Sequence, residues 1–326
     1  MAARVPLIDL ARLHGPDRAA FAREVDAACR DIGFLLVTGH GVPTDLMHWM
    51  QAVSTAFFRL PDSEKRKLQV LGGRIHGWTG PRQSYLADTR APGQPQAPDW
   101  KEGFSIGPVD TPPDLTAEEV RYFGRNLWPT RPDGFVEVWE DYFREMERLA
   151  GDLMASFALA LELPADYFAP KIDRHITGLS AHFYPPQPVA PEAGQWRAGA
   201  HTDFGSLTIL NTGDDPGGLQ VCDRDGSWHD VAAPPNTFVV NIGDLMAQWT
   251  NDRWVSTLHR VANPPRARAH LPRQSVAFFH QPNWHTVVEC LPGCGSVLNL
   301  PKYPPITSGA HFERKLALLR GPVATA

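Results

Sequence analysis

Cysteine is scarce in this chain, and the four present (Cys29, Cys222, Cys290 and Cys294) form no CxxC pair. That argues against a zinc ribbon or a disulfide framework and for reduced thiols in a cytoplasmic protein. No block of basic residues stands out among 31 Lys and Arg, which 36 acids outweigh to a net charge of −5. Nucleic acid is therefore not an expected partner. Long apolar runs are missing as well. No stretch approaches a membrane span, and the opening Met-Ala-Ala-Arg-Val-Pro-Leu-Ile-Asp-Leu lacks the apolar core of a secretory signal. Repeats and low-complexity tracts are also absent. The oligomeric state stays open, and a monomer suffices.

Proline and glycine, in contrast, are abundant at 31 and 27 residues, which implies many turns. Spacing of apolar residues predicts helices over 17–32, 44–58 and, longest, 132–162, where Phe135, Val138, Trp139, Tyr142, Met146, Leu149, Leu153, Phe157 and Leu161 recur every three or four positions. Phe34-Leu35-Leu36-Val37 reads as a buried strand. Residues 71–115 read as irregular. From about 176 short apolar runs alternate with Gly, Pro, Asn and Asp at 178–184, 206–210, 218–222, 237–242, 258–261, 275–281 and 286–289. That texture predicts an antiparallel sandwich or barrel. A short helix follows near 310–320. The expected architecture is mixed α and β, with a helical N-terminal half supporting a β core.

His201-Thr202-Asp203 carries the chemistry. A His-x-acid pair alone is weak: 13 histidines and 36 acids in 326 residues produce roughly one by chance. His311-Phe312-Glu313 has the same spacing but falls in the expected C-terminal helix, where i and i+2 diverge. On an extended segment His201 and Asp203 project to one side. His259, 56 residues after Asp203, lies in another short strand that can come opposite them. Two imidazoles and one carboxylate occupy one face of an octahedron and leave three positions open, which suits oxygen-activating Fe(II). A structural zinc would instead be closed by four protein ligands. Arg273 and Ser275, again two apart, sit beside the core-like Val276-Ala277-Phe278-Phe279. Guanidinium and hydroxyl on one face can hold a carboxylate. Arg266 and Arg268 have no serine two residues on.

These residues make the chain resemble the isopenicillin N synthase-like Fe(II)/2-oxoglutarate-dependent dioxygenases. The likeness runs from Val5-Pro6-Leu7-Ile8-Asp9-Leu10 through Gly39-His40-Gly41-Val42-Pro43, Lys101-Glu102-Gly103-Phe104 and Asn126-Leu127-Trp128-Pro129 to Pro304-Pro305-Ile306-Thr307-Ser308-Gly309. It is densest at Ala200-His201-Thr202-Asp203-Phe204-Gly205-Ser206-Leu207-Thr208, Asn241-Ile242-Gly243-Asp244 and His259-Arg260-Val261. The resemblance implies a double-stranded β-helix (jelly-roll) core, with residues 1–170 as a helical region forming part of the substrate cover and 171–326 as the core with its C-terminal helix. It implies iron on His201, Asp203 and His259, and 2-oxoglutarate held by Arg273, Ser275 and Tyr184, with O2 as the oxidant. The implied activity is oxidation, by default hydroxylation, of a C–H bond in a small molecule, with release of succinate and CO2. Relatives that use no 2-oxoglutarate make an oxidase the alternative, ahead of a non-catalytic metal-binding jelly roll. The chain departs from the family at His182, where Asn-x-Tyr-Pro has become His182-Phe183-Tyr184-Pro185; this histidine is expected to enter the cosubstrate pocket or to turn elsewhere.

The family layout places the 74–106 stretch over the iron. Trp78, Arg82, Tyr85 and Phe104 are candidate walls there, and Phe183, Phe204, Trp249 and Phe279 are candidates for the inner wall. If half of them face the cavity, the ligand is small and largely apolar or aromatic, with one anionic group for Arg82.

Overall fold

The computed structural model describes residues 5–70, 75–86, 97–213 and 217–319. The N-terminal half runs β1 (Leu7–Asp9), α1 (Arg18–Asp31), β2 (Phe34–Thr38), α2 (Thr44–Phe58), α3 (Asp62–Lys65), β3 (Gly77–Thr79), β4 (Glu102–Ile106) and α4 (Phe135–Ala160). There follow α5 (Ala169–Ile172), β5 (Gly178–Tyr184), β6 (Ala198–His201), β7 (Leu207–Asn211), β8 (Leu219–Cys222), β9 (Trp228–Asp230) and β10 (Phe238–Ile242). The chain closes with α6 (Asp244–Trp249), β11 (His259–Val261), β12 (Arg273–His280), β13 (Val287–Val288), β14 (Ile306–Thr307) and α7 (Ser308–Leu319).

Two sheets form the core. One has eight strands in the order β1-β2-β10-β7-β12-β5-β4-β3, and the other has four, β6-β11-β8-β9. Period-two alternation sorts the residues of the large sheet. Leu35, Val37, Leu179, Ala181, Ile209, Val240, Val276 and Phe278 pack with Phe21 of α1, Met50 and Phe57 of α2, and the apolar stripe of α4. On the opposite face Phe34, Leu36 and Val239 meet Leu219 and Val221 of the small sheet. The large sheet is thus a middle layer, with helices on one side and the small sheet on the other, which is the jelly-roll architecture with its helical cover. Burial of this many large side chains, including Trp139, Phe143 and Phe157 at 0% exposure, is the main favourable term in folding.

One sequence expectation is corrected here. The stretch read as irregular contains β3 and β4, which extend the large sheet beyond β5. Both are short, and Gly77 and Gly103 interrupt the apolar alternation that would have betrayed them. Residues 87–96 within that stretch lie outside those described. The strand expected over 286–289 is also shorter and pairs only with β14.

Candidate active site

Three side chains converge between the sheets. β6 and β11 pair so that His259 lies opposite His201, and their ring centroids are 4.3 Å apart. Each Nε2 stands 3.7 Å from Oδ1 of Asp203, and one ligand atom from each of the three lies within 4.8 Å of the others. Asp203 does not sit on a strand. β6 ends at His201, and the carboxylate comes from the turn beyond it. That turn is docked by backbone bonds: Asp244 N–H donates to Asp203 O at 2.8 Å, and Gly243 N–H to Ser206 O at 3.1 Å. Glycine is required at this crossing, because a Cβ on Gly205 would lie 2.1 Å from His280 O and one on Gly243 2.2 Å from Gly205 O.

The surrounding hydrogen bonds prepare this cluster for a cation. A carbonyl can only accept, so His201 Nδ1–H donates to Gly199 O at 2.8 Å and His259 Nδ1–H to Thr257 O at 3.1 Å. Both Nε2 lone pairs are thereby left for the centre. Oδ2 of Asp203 accepts from Thr208 Oγ1 at 2.6 Å and Asn241 Nδ2 at 2.8 Å, which turns Oδ1 inward. Burial, reinforced by His259, pushes the His201 pKa below its ordinary value. Burial would raise the Asp203 carboxyl, but the two imidazoles and the bonds from Thr208 and Asn241 bring it below its ordinary range. Neutral imidazole and ionised carboxylate are the protonation states a metal needs.

A cavity of about 390 Å³ opens from this cluster. One end is built by β12 and β5, where Arg273 pairs with Tyr184 and Ser275 with His182. Arg273 and Ser275 are 4% and 2% exposed. Arg273 Nη1 donates to Ser275 Oγ at 3.2 Å, and its guanidinium lies 5.0 Å over the Tyr184 ring. His182 also lines the cavity, beside Gly103 of β4. Burial holds its pKa well below the ordinary value, helped by the charge of Lys101, and its Nδ1 has no hydrogen-bond partner.

The expected substrate walls divide. Tyr85, Phe204 and Phe279 line the cavity. Phe104 borders it, but its ring packs 4.9 Å from Phe57 and 5.1 Å from Trp139. Four expectations are corrected. Trp78 pairs with Phe104 on the helix-facing side, and its Nε1–H donates to Glu102 at 2.7 Å. Phe183, an odd position on β5, stacks on Phe58 at 5.3 Å. Trp249 is buried on α6 against Phe168. Arg82 is at the surface, ion-paired to Glu192 at 2.6 Å. Sequence reasoning missed Lys101, His76, Thr208, Asn241 and Gln281, all on the cavity wall. Lys101 fell within a stretch of family likeness, but its place on the wall follows only from the register of β4, which the sequence did not reveal.

A buried two-histidine, one-carboxylate cluster between jelly-roll sheets, with a buried Arg-Ser pair in the same cavity, fits the class of mononuclear non-haem iron oxygenases. Comparison with known proteins agrees. Residues 5–131 match the family described as the non-haem dioxygenase in morphine synthesis N-terminal region, and residues 176–282 match the 2OG-Fe(II) oxygenase superfamily. The chain is similar to the 2-oxoglutarate-Fe(II) type oxidoreductase hxnY of Emericella nidulans, at 35% identity over 93% of this chain and 86% of that protein. It is also similar to a full-length Neurospora crassa protein solved with alpha-KG and thymine, at 31% identity, TM-score 0.83 and 96% of each chain, and to JOX2 solved with 2OG, Fe and JA, at 26% identity, TM-score 0.76, and 98% and 86% coverage. The chain belongs to the 2OG-Fe(II) oxygenase superfamily. It is an oxidoreductase that uses Fe(II), 2-oxoglutarate and O2. Among the described residues, no helix is long and apolar enough to cross a membrane.

Proposed function

We propose that His201, Asp203 and His259 hold the Fe(II), that Arg273, Ser275 and Tyr184 hold the far carboxylate of 2-oxoglutarate, and that the enzyme hydroxylates a C–H bond of a small molecule. The observation that carries this reading is the placing of three inward-facing ligand atoms, within 4.8 Å of one another, in the same cavity as a buried Arg-Ser pair. When bound, the metal and its cosubstrate supply the oxidising power, with 2-oxoglutarate converted to succinate and CO2. The protein's own part is positional. Gly199 and Thr257 fix the imidazole tautomers. Thr208 and Asn241 hold the carboxylate in one orientation. Arg273, buried among β12 and β5, presents a guanidinium that meets a carboxylate with charge-assisted bonds.

His182 stands where the family carries asparagine. Neutral and close to the same pocket, it offers a hydrogen bond in place of the amide, and it pairs with Gly103 of the neighbouring strand. Tyr85, Phe204 and Phe279 supply apolar walls for the substrate. Related structures were solved with small-molecule ligands, thymine in one and JA in another, which supports a small-molecule substrate here. Free cysteines among the described residues support a cytoplasmic setting.

Anaerobic titration with Fe(II) and 2-oxoglutarate tests the reading. A visible metal-to-ligand charge-transfer band is expected, lost on substitution of His201. Its absence from the wild-type chain would refute the assignment. A substrate screen scored by succinate release follows.

A further inference from the structure

Lys101 precedes β4 and is 8% exposed. It lines the cavity, and among the described residues it has no hydrogen bond or ion pair. Its sequence neighbours explain why. Glu102, on the opposite face of β4, is committed to Lys65 at 2.9 Å and to Trp78 Nε1 at 2.7 Å. Asp99 accepts from Ser84 Oγ, Leu86 N and Gly199 N. Asp203 is taken up by Thr208, Asn241 and the two histidines. Gly103 of β4 pairs with His182, so Lys101, on the same face, stands beside that strand in the cavity that also holds His201; its charge lowers the pKa of both histidines. Gly103, next on the same face, adds no side chain to obstruct it.

A buried ammonium without a counter-ion is costly, and here it faces a space built to be filled. We infer that Lys101 binds the carboxylate of a monoanionic substrate and so selects small carboxylic acids over their neutral analogues. This rests on the reading of the cavity as a 2-oxoglutarate oxygenase site. In that reading the cosubstrate's far carboxylate has Arg273 and Ser275 and its near one has the metal, which leaves Lys101 for the second organic ligand. One ammonium calls for one negative charge, and the apolar walls formed by Tyr85, Phe204 and Phe279 suit a hydrocarbon or aromatic body.

The test is calorimetric binding, performed anaerobically on the full chain loaded with Fe(II) and 2-oxoglutarate. The probes are a panel of small monocarboxylates headed by phenylacetate, each matched with its primary amide. At least one acid should outbind its amide by roughly 10- to 100-fold, the range of a charge-assisted hydrogen bond. Lys101→Met should abolish that preference and Lys101→Arg should largely keep it. The charge-transfer band of each variant reports folding and cosubstrate binding independently of the panel. No acid outbinding its amide would overturn the inference. So would a Lys101→Met chain that keeps the preference, or one whose only defect is weaker 2-oxoglutarate binding, which would assign Lys101 to the cosubstrate. A missing band in the wild-type chain would instead overturn the oxygenase reading beneath it.

Discussion

The two sheets share one cavity but hold their functional groups in different ways. The small sheet offers short strands: β6 has four residues and β11 three, and the third member of the cluster lies on a turn outside both. Its geometry depends on individual hydrogen bonds: the carbonyls of Gly199 and Thr257 accept from the two imidazoles, and Thr208 and Asn241, reaching across from the large sheet, donate to Asp203. The large sheet offers β12, eight residues in continuous register with β5 on one side and β7 on the other. Arg273 and Ser275 are placed by that register. The difference separates two kinds of tolerance. A site set by register should be insensitive to loss of any one bond, whereas a site set by single bonds should weaken with each one lost.

The largest effect should break the small-sheet side. His201→Ala removes one of three ligands and exposes the charge of Asp203 to an incomplete shell. Iron content should collapse and succinate production should fall on the order of a thousandfold. Metal analysis of the purified protein checks the first, and a chromatographic assay the second. Normal iron content would place the metal elsewhere.

Next in size, Arg273→Ala should separate the two sheets' contributions. The Kd for 2-oxoglutarate should rise roughly 10- to 100-fold, the value of a charge-assisted pair. Iron content should stay near normal, because β12 contributes no ligand to the triad. Unchanged cosubstrate affinity would move the anion site; a parallel loss of iron would show that Arg273 also supports the triad.

This contrast also explains what the sequence could disclose. His201, Asp203 and His259, whose ligand atoms the structure brings within 4.8 Å of one another, and Arg273 with Ser275, neighbours on one face of β12, could be proposed from sequence because each chemistry calls for fixed residue types at short spacing, although Asp203 lies in a turn and not on the expected strand. The core strands were readable from alternation, and α4 from its long stripe. Trp78, Phe183 and Trp249 were misplaced for one reason: aromatic identity says nothing about which face of a strand or helix is presented. Alternation from Tyr184 on β5 puts Phe183 on the helix side, but only once the register is known. Arg82 looked like a wall because its segment crosses the cavity, yet Glu192, 110 residues away, claims it at the surface. Asn241 and Thr208 were invisible as partners of Asp203, since their role exists only after β10 and β7 are side by side.

Asn241→Ala sharpens the argument about single bonds. It removes one donor to Asp203 Oδ2 and leaves Thr208 in place. Metal affinity should fall roughly tenfold, as for other groups that orient a ligand, with cosubstrate affinity measured at saturating iron unchanged. Competition with a chromophoric chelator reads the first quantity. An effect as large as that of His201→Ala would mean that the carboxylate collapses without this donor.

The smallest effect concerns pH and lies at the substrate end of the large sheet. His76 lines the cavity, both its ring nitrogens lack partners, and burial lowers its pKa to about 4. In the unfolded chain a histidine titrates near 6.5. Between those values the unfolded state binds more protons, so folding stability falls as pH drops from about 7 to 5. His76 should contribute about 1 to 2 kcal/mol to that fall. Replacing it with glutamine removes a proton-binding group and cannot add one, so the variant's stability should decline less steeply over the same interval, whatever its stability at pH 7. Urea denaturation of both proteins, metal-free, at a series of pH values gives the two slopes, and the remaining titrating groups cancel in their difference. Identical slopes would mean that the His76 ring finds a proton acceptor in solution, and that the substrate end of the cavity is more polar than its unpartnered nitrogens imply.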